Sequence, residues 1–144
     1  MKIFTIGFTK KSAQEFFTRL QKAGVRRVVD VRLNNTSQIT GFAKARDLEF
    51  FLKAIAGIDY VHVPELTPTQ DILNHFLKAK GPWSEYEHKF TQLLETRRVA
   101  ETLHGELRDG DCLLCSEDTP EHCHRRLVAE HLQVQWSDGE IVHL

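Results

Sequence analysis

The segment from Glu117 to Arg125 brings carboxylates, two histidines, a thiol and an arginine into one short span. Glu117 is suited to general acid or base chemistry if burial raises its pKa. His124 exchanges a proton near neutral pH, so it can fill the same role. A structural interpretation is equally open, in which Glu117 caps a helix or pairs with Arg125. The residues alone leave both interpretations in place.

Cys123 lies where a helix is expected to begin, because Pro120 is typical of a first helical turn. The positive end of a helix and nearby cations favour the thiolate form of a cysteine. Acidic neighbours, among them Glu121, oppose that effect by raising the pKa of the thiol. Three roles therefore remain open for Cys123: a nucleophile, a buried packing thiol, or a partner of Cys115.

Cys112 and Cys115 have the C-x-x-C spacing of many zinc ligands, with Cys123 and His124 further along the chain. However, Cys112 to Cys115 looks like one apolar strand, and residues three apart on a strand face opposite sides of the sheet. We therefore expect Cys112 to be an ordinary core residue. A site built from Cys115, Glu117, Cys123 and His124 remains an alternative, but the prediction contains no metal and no cofactor.

Asp30 and Arg32 follow a strongly apolar run. Residues two apart on a strand share a face, so these side chains either pair with each other or both point into a cleft. A structural ion pair that ties the strand end to a loop is as reasonable as a catalytic role for Asp30.

The polar residues 33–44 predict a loop with amides, hydroxyls such as that of Ser37, and an aromatic side chain, Phe42, that looks exposed. Together with nearby cations this loop could form a rim that binds phosphate or a nucleic acid backbone. The alternative is a solvated loop. The cations concerned are Arg32, Lys44, Arg46, Lys10 and Lys11.

Hydrophobic patterning alternates strands with helices. We expect strands at Ile3–Ile6, 25–31, 60–63, Cys112–Cys115 and 141–144, with Val134 to Trp136 pairing with or leading into the last one. We expect helices over 12–24, from Asp47 to Gly57, over 69–79, over 84–107, and from about Glu121 onward through Leu132.

Alternating strands and helices favour an α/β fold with three layers, in which helices cover both faces of a mostly parallel sheet of about five strands. Right-handed crossovers would bring every strand-to-helix loop to the carboxyl ends of the strands. Open α/β sheets bind ligands at that edge. Four distant parts of the chain, ending in Gly7, Arg32, Glu65 and Cys115, should therefore meet in one crevice.

Composition limits the possible classes of protein. The chain has 144 residues, which suits a single domain over 1–144, and its net charge of −1 gives no field that would attract DNA or an anionic membrane. An odd number of cysteines, three, does not suit a disulfide framework, and the apolar start is too short for a membrane span. We therefore expect a cytoplasmic protein with reduced thiols.

Several motifs resemble the family called Domain of Unknown Function 488. They are T-I-G-F-T, V-D-V-R-L-N-N-T-S-Q with G-F-A-K, Y-V-H-V-P-E-L-T-P-T, and L-L-C-S-E followed by P-E-H-C-H-R-R-L-V-A-E-H-L. Many members of that family have histidine where this chain has Phe8. The resemblance implies the fold and the site positions, and it implies no reaction. Its hallmark positions fall on Gly7, Asp30, Arg32, Ser37, Phe42, Lys44, Cys115, Glu117, Cys123, His124 and Arg125.

The first functional hypothesis is an enzyme, a hydrolase or transferase, acting on a phosphate-bearing or nucleic-acid-like substrate. Its predicted catalytic residues are Asp30, Cys115, Glu117, Cys123 and His124. Its predicted substrate-binding residues are Gly7, Arg32, Ser37, Phe42, Lys44 and Arg125. The alternative is a non-catalytic module that binds a nucleotide or nucleic acid through the same rim. Affinity that falls steeply with salt would indicate such a module.

Overall fold

The computed structural model describes residues 1–35, 41–137 and 139–144 and contains a five-stranded sheet. All strand pairs are parallel, and the strand order is β3-β2-β4-β1-β5. The predicted sheet is therefore confirmed, and it is entirely parallel. The strands are β1 at Lys2–Gly7, β2 at Arg27–Asp30, β3 at Asp59–His62, β4 at Asp111–Cys115 and β5 at Glu140–His143.

Six α-helices connect these strands within the described part of the chain. A π-helical turn over Leu52–Ala56 continues α2, and 3-10 turns lie at Gly41–Ala43 and Pro64–Leu66. The described part of the predicted loop over residues 33–44 thus includes a short helical turn. The helices are α1 at Ala13–Ala23, α2 at Ala45–Phe51, α3 at Gln70–Leu77, α4 at Trp83–Thr96, α5 at Val99–Thr102 and α6 at His124–Trp136.

Helix α1 begins and ends where the sequence predicts. The Ser12 side chain accepts a hydrogen bond from the Glu15 backbone N–H, and Gly24 ends the helix in the left-handed conformation at φ 78°. The chain then turns before β2, because the Val25 N–H bonds back to the Leu20 carbonyl. As a result β2 begins at Arg27, two residues after the predicted start.

Two hydrophobic cores lie on opposite faces of the sheet. One contains Phe16 and Leu20 of α1 with Leu48 of α2, and the other contains Phe90 of α4 and Leu132 of α6. Alternate strand residues supply the two cores, since successive side chains on a strand point to opposite faces. The three-layer prediction is therefore confirmed.

The predicted helix over 84–107 is divided into α4 and α5. Arg98 adopts a left-handed conformation at φ 55°, which interrupts the helical hydrogen bonds without any proline or glycine. The residues from Val134 to Trp136 were expected at a strand but continue α6 instead. Trp136 is held there because its indole N–H donates to the Ala100 carbonyl at 2.8 Å.

The start of α6 also differs from the prediction. The helix begins at His124 and not near Glu121, and Cys123 is its N-cap residue with extended φ and ψ angles. Pro120 therefore precedes the helix and is not part of its first turn. This difference lengthens the loop after β4 and places two reactive side chains at the boundary between loop and helix.

The topology creates a crevice beside β4. Helices α1 and α2, which follow β1 and β2, pack on one face of the sheet, whereas α6, which follows β4, packs on the other. Strand β4 lies between β2 and β1. The connections leave these neighbours in opposite directions, which is the arrangement that opens a ligand-binding crevice at the carboxyl ends of parallel strands.

None of the helices in the described part of the chain combines the length and the apolar character that crossing a membrane requires.

Candidate functional site

A crevice of about 220 Å³ lies at the carboxyl ends of β2 and β4, on the face covered by α4 and α6. This volume is below the range of roughly 300–1,000 Å³ typical of pockets for drug-sized ligands, so it suits a small ligand or one end of a larger one. The lining residues come from the ends of β2 and β4, from α3 and α4, and from the start of α6. They are Arg32, Leu33, Asn34, Pro68, Leu73, Phe76, Leu77, Trp83, Tyr86, Cys115, Ser116, Glu117, His122, Cys123 and His124.

Two thiols and an imidazole form a buried cluster in this lining. Cys115 is the last residue of β4, Cys123 is the N-cap of α6, and His124 is the first residue of that helix. Their ligand atoms all lie within 4.8 Å of one another. We call this group the Cys–His cluster. Cys112 lies in the core on the opposite face of the sheet, as its position in β4 predicts.

The imidazole of His124 is fixed by the backbone of β2. Its Nε2 atom lies 2.6 Å from the Val31 carbonyl oxygen, which can only accept a hydrogen bond. Nε2 therefore carries the proton and Nδ1 carries the lone pair when the ring is neutral. Nδ1 lies 3.4 Å from Sγ of Cys115. The ring edge also packs against Phe90, with centroids 5.5 Å apart.

The pKa values of the two cluster thiols move in opposite directions. Burial raises the pKa of Cys115, but hydrogen bonds from the Cys123 thiol and the Ser116 backbone N–H outweigh it and lower the pKa overall. Burial raises the pKa of Cys123 well above its usual value, and the charge of Cys115 adds to that rise. When one thiol of the pair ionises, Cys115 is the one that does so.

Four aromatic side chains form another part of the lining, which we call the aromatic wall: Phe76, Trp83, Tyr86 and His122. The Trp83 ring stacks on Tyr86 with centroids 4.9 Å apart and on His122 with centroids 5.1 Å apart. Phe76 packs against both Trp83 and Tyr86. Burial raises the pKa of the Tyr86 hydroxyl, and the charges of the two cluster thiols raise it further. The tyrosine therefore stays protonated and can donate a hydrogen bond within the crevice.

Asp30 and Arg32 form a buried ion pair. The Arg32 guanidinium donates to both carboxylate oxygens, each at 2.8 Å, and the Tyr60 hydroxyl donates to Oδ2 at 2.6 Å. Burial raises the pKa of Asp30, but the hydrogen bonds and charge of Arg32 outweigh burial and lower it. Asp30 thus remains a carboxylate that orients Arg32, and it does not line the crevice.

Arg32 retains one donor group beyond this pair. Its side chain is 2% exposed, and Nη1 has no acceptor among the described residues. The guanidinium carbon lies 5.3 Å from the centroid of the Phe8 ring, but this contact does not supply a hydrogen-bond acceptor for Nη1. A buried N–H without an acceptor costs roughly 1–3 kcal/mol. An acceptor supplied by a ligand would remove that cost.

Arg125 and Gly7 hold the loop that follows β4. The Arg125 side chain donates to the backbone carbonyl of Glu117 at 2.7 Å, so the contact predicted for the Glu117 carboxylate is made by its main chain. A Cβ atom on Gly7 would lie 1.5 Å from that same carbonyl oxygen. Neither Gly7 nor Arg125 lines the crevice. Both residues therefore position Glu117 and Cys115 from outside the crevice.

Apart from Arg32, Leu33 and Asn34, the described residues of the predicted rim do not line the crevice. Lys11 is buried and pairs with Asp118 at 2.9 Å. Phe42, expected to be exposed, is half-buried and packs against Phe16 and Phe17. Lys44 is exposed and is the N-cap of α2. Ser37 falls outside the described residues.

The structure therefore brings five of the predicted site residues to one lining and adds a wall that sequence reasoning missed. The five are Arg32, Cys115, Glu117, Cys123 and His124. Trp83 lies just before the predicted helix start at residue 84, and the helical spacing of Tyr86 cannot show that this end of the helix borders a crevice. His122, which lies in the segment from Glu117 to Arg125, was the sequence feature that could have indicated the aromatic wall.

A family model described as Domain of unknown function DUF488 matches residues 12–132. The chain belongs to the DUF488 family. This match spans α1 through most of α6, so it includes the lining of the crevice and leaves out β1 and β5. The chain matches no curated protein and no solved structure. Membership in DUF488 brings no activity with it, because the family is described as one of unknown function.

Proposed function

We propose that this DUF488 protein is an enzyme, a hydrolase or transferase, that acts on a small substrate carrying a phosphate group. The substrate lies in the crevice between the Cys–His cluster and the aromatic wall. Its anionic group accepts a hydrogen bond from Arg32, and a planar portion such as a nucleobase packs against the aromatic wall.

The observation that carries this proposal is the presence of the buried Cys–His cluster in the lining of a crevice. Two thiols and an imidazole support two main kinds of catalysis. One uses a thiolate as nucleophile, and the other uses a metal ion that activates water. Both act on an electrophilic centre such as a carbonyl or phosphoryl group, so hydrolysis and group transfer are the reactions that fit.

Arg32 supports an anionic substrate. Its Nε and Nη2 atoms are fixed by Asp30, which leaves Nη1 as a positioned donor on a residue of the lining. Arginine is well suited to phosphate because its planar guanidinium presents parallel N–H groups and stays charged. The aromatic wall supports a substrate with a flat apolar portion, since stacking on an aromatic side chain contributes roughly 1–3 kcal/mol per base.

Glu117 is the residue that moves a proton in this proposal. It lines the crevice two residues after Cys115, but it is exposed, so the burial that the sequence-based interpretation required is not observed and the assignment rests on its position. Asp30 had been the other candidate, but its lowered pKa and its bonds to Arg32 and Tyr60 make it a poor acid or base. We therefore assign proton transfer to Glu117 and orientation of the guanidinium to Asp30.

A nucleic-acid-binding module is less well supported by the positions of the cations. Lys11 is engaged by Asp118, and Arg125 donates to backbone carbonyls, so neither is available to a phosphate backbone. We also propose a cytoplasmic location, which is supported by three free cysteines that make no disulfide.

The test is a turnover screen with defined probes. The chain is incubated with nucleoside 5′-monophosphates and sugar monophosphates, and products are followed by mass spectrometry. We expect a product from at least one probe, and we expect Glu117→Gln to lower its rate at least about 100-fold, the scale of a lost general acid or base. The melting temperature should change by no more than about 2 °C, because Glu117 is exposed.

Glu121→Gln is the matched control, since Glu121 is exposed on the same loop but does not line the crevice. This variant should keep the full rate. Binding of a probe without any product would favour the non-catalytic module. A large loss of stability in Glu117→Gln would make Glu117 a structural residue.

A further inference from the structure

We propose that Cys115, Cys123 and His124 bind a zinc ion whose fourth coordination position opens into the crevice. This inference deepens the proposed function and rests on it, because the ion would be the reactive centre of the same site. The three side chains are buried and are the cluster suited to a metal ion among the described residues.

The three ligand atoms are close enough for one ion to bind them together, since all lie within 4.8 Å of one another. Zinc bonds of about 2.3 Å to sulfur and about 2.0–2.1 Å to nitrogen, at a tetrahedral angle, place a sulfur and a nitrogen ligand about 3.6 Å apart. Sγ of Cys115 lies 3.4 Å from Nδ1 of His124 and 3.7 Å from Nε2, so it sits over the imidazole ring and off the Nδ1 lone pair. An ion that joins these two side chains therefore requires one of them to rotate.

The tautomer of His124 matches that of a metal ligand. Histidines that bind metals usually donate their other ring N–H to a carbonyl or carboxylate, which fixes the tautomer and the ring plane. Here Nε2 donates to the Val31 carbonyl at 2.6 Å, so Nδ1 is the ring nitrogen that keeps its lone pair for an ion. Val31 is itself held in place, because its N–H donates to the Leu114 carbonyl of β4.

The chemistry of the three ligands selects zinc over harder cations. Magnesium and calcium take oxygen ligands, whereas thiolates and imidazole bind zinc well. Two thiolates and a neutral imidazole also balance the charge of a divalent ion. The loaded site is then electrically neutral, which suits ligands that are each no more than 7% exposed.

The number of ligands indicates a catalytic site and not a structural one. Structural zinc sites use four protein ligands, while catalytic sites use three and keep one position for water or substrate. All three ligands line the crevice, so the remaining position is open to it. Cys112, the third cysteine, belongs to the core on the other face of the sheet and cannot complete the site.

The experiment measures zinc binding directly. The full chain is purified without an affinity tag, supplied with zinc, dialysed, and analysed for bound metal. We expect about one zinc ion per chain, and thiolate-to-metal absorption when cobalt replaces zinc. Cys123→Ser should weaken binding at least about 100-fold, since changes even to outer partners of a metal ligand cost 10–100-fold. Cys112→Ala is the matched control and should bind like the unchanged chain.

A folded, unchanged chain that binds no stoichiometric zinc and gives no cobalt absorption would overturn the proposal, and so would a Cys123→Ser variant that binds as tightly as Cys112→Ala. If Cys123→Ser fails to fold, thiol alkylation of the unchanged chain decides. Zinc should slow the alkylation of Cys115 and Cys123, and equal rates with and without zinc would overturn the site.

Two further outcomes separate this proposal from the proposed function. Turnover that persists in a strong chelator would overturn the catalytic zinc and keep the proposed enzyme. One zinc ion per chain without turnover of any probe would keep the zinc site and overturn the proposed enzyme.

Discussion

Two arginine–aspartate pairs hold opposite ends of the central strands, and they differ in what each arginine has left to donate. At the amino end, Arg27 donates to both carboxylate oxygens of Asp111, at 3.0 and 2.7 Å. Its Nη2 atom also donates to the Glu106 carbonyl at 2.8 Å. The Arg27 side chain is 17% exposed, so its remaining N–H groups can reach water.

The pair at the carboxyl end has nearly the same geometry but a different environment. Arg32 donates to both oxygens of Asp30, and its side chain is 2% exposed. Neither a described residue nor solvent satisfies its Nη1 atom. The first pair is therefore a clamp between strands, whereas the second pair holds a donor in place at a residue that lines the crevice. The same two residue types serve stability at one end of the sheet and, in the proposed function, recognition at the other.

The largest expected effect separates the two pairs by stability. Asp30→Asn should lower the free energy of unfolding by about 3–5 kcal/mol, because it leaves a buried guanidinium without its charge partner. Asp111→Asn should cost only about 1–3 kcal/mol, since Arg27 keeps the Glu106 carbonyl and access to solvent. Urea unfolding of both variants gives the comparison. An equal or larger loss in Asp111→Asn would remove the distinction between them.

A smaller effect separates the pairs by ligand binding. Arg32→Lys keeps the charge but loses the planar fork, so we expect AMP or inorganic phosphate to bind about tenfold more weakly, or about 1.4 kcal/mol. Arg27→Lys disturbs a pair of similar geometry far from the crevice and should leave binding unchanged. Calorimetric titration of the three proteins tests this expectation. Equal affinities in both variants would mean that Arg32 does not contact the anion.

The smallest expected effect concerns acid stability. The pKa of Asp30 is lower than its ordinary value of 3.8, because its bonds to Arg32 outweigh burial. A carboxyl group whose pKa is lower in the folded state than in the unfolded state stabilises the fold. This stabilisation is fully present above the pKa of the unfolded state and is lost as pH falls through the pKa of the folded state.

The unchanged chain should therefore lose stability more steeply below about pH 4 than Asp30→Asn does. Asp111→Asn, which keeps Asp30, should retain the steep acid limb. Melting temperatures measured between about pH 2 and 6, the range over which carboxylates titrate, provide the test. Parallel curves for the unchanged chain and Asp30→Asn would show that the pair contributes nothing to acid stability.

The sequence predicts the sheet well because burial leaves a simple pattern. Apolar runs mark β1, β2 and β4, and a parallel topology brings the carboxyl ends of these strands together. This part of the prediction requires no information about side-chain contacts. Strand parity alone separates Cys112 from Cys115, and the structure places them in different cores. Residues such as Arg32, Cys115 and Cys123 could therefore be assigned to one crevice in advance.

Contacts between side chains and backbone carbonyls have no such pattern. Arg125 was expected to bind an anion, but its partner is the Glu117 carbonyl, and no residue type in the sequence signals a carbonyl. Arg98 likewise ends α4 in a conformation that its residue type rarely adopts. Trp83 and Tyr86 follow an ordinary helical period, which is the same whether a helix borders a core or a crevice.

The stacked position of Trp83 gives the crevice its own optical reporter. The chain has two tryptophans, and Trp136, the last residue of α6, packs in the core away from the lining. Only the indole of Trp83 is in contact with His122 and Tyr86, so any molecule that enters beside it changes the polarity and quenching around one fluorophore. Replacing Trp136 by phenylalanine would leave a single emitter, and occupancy of the crevice could then be followed by fluorescence without any added label.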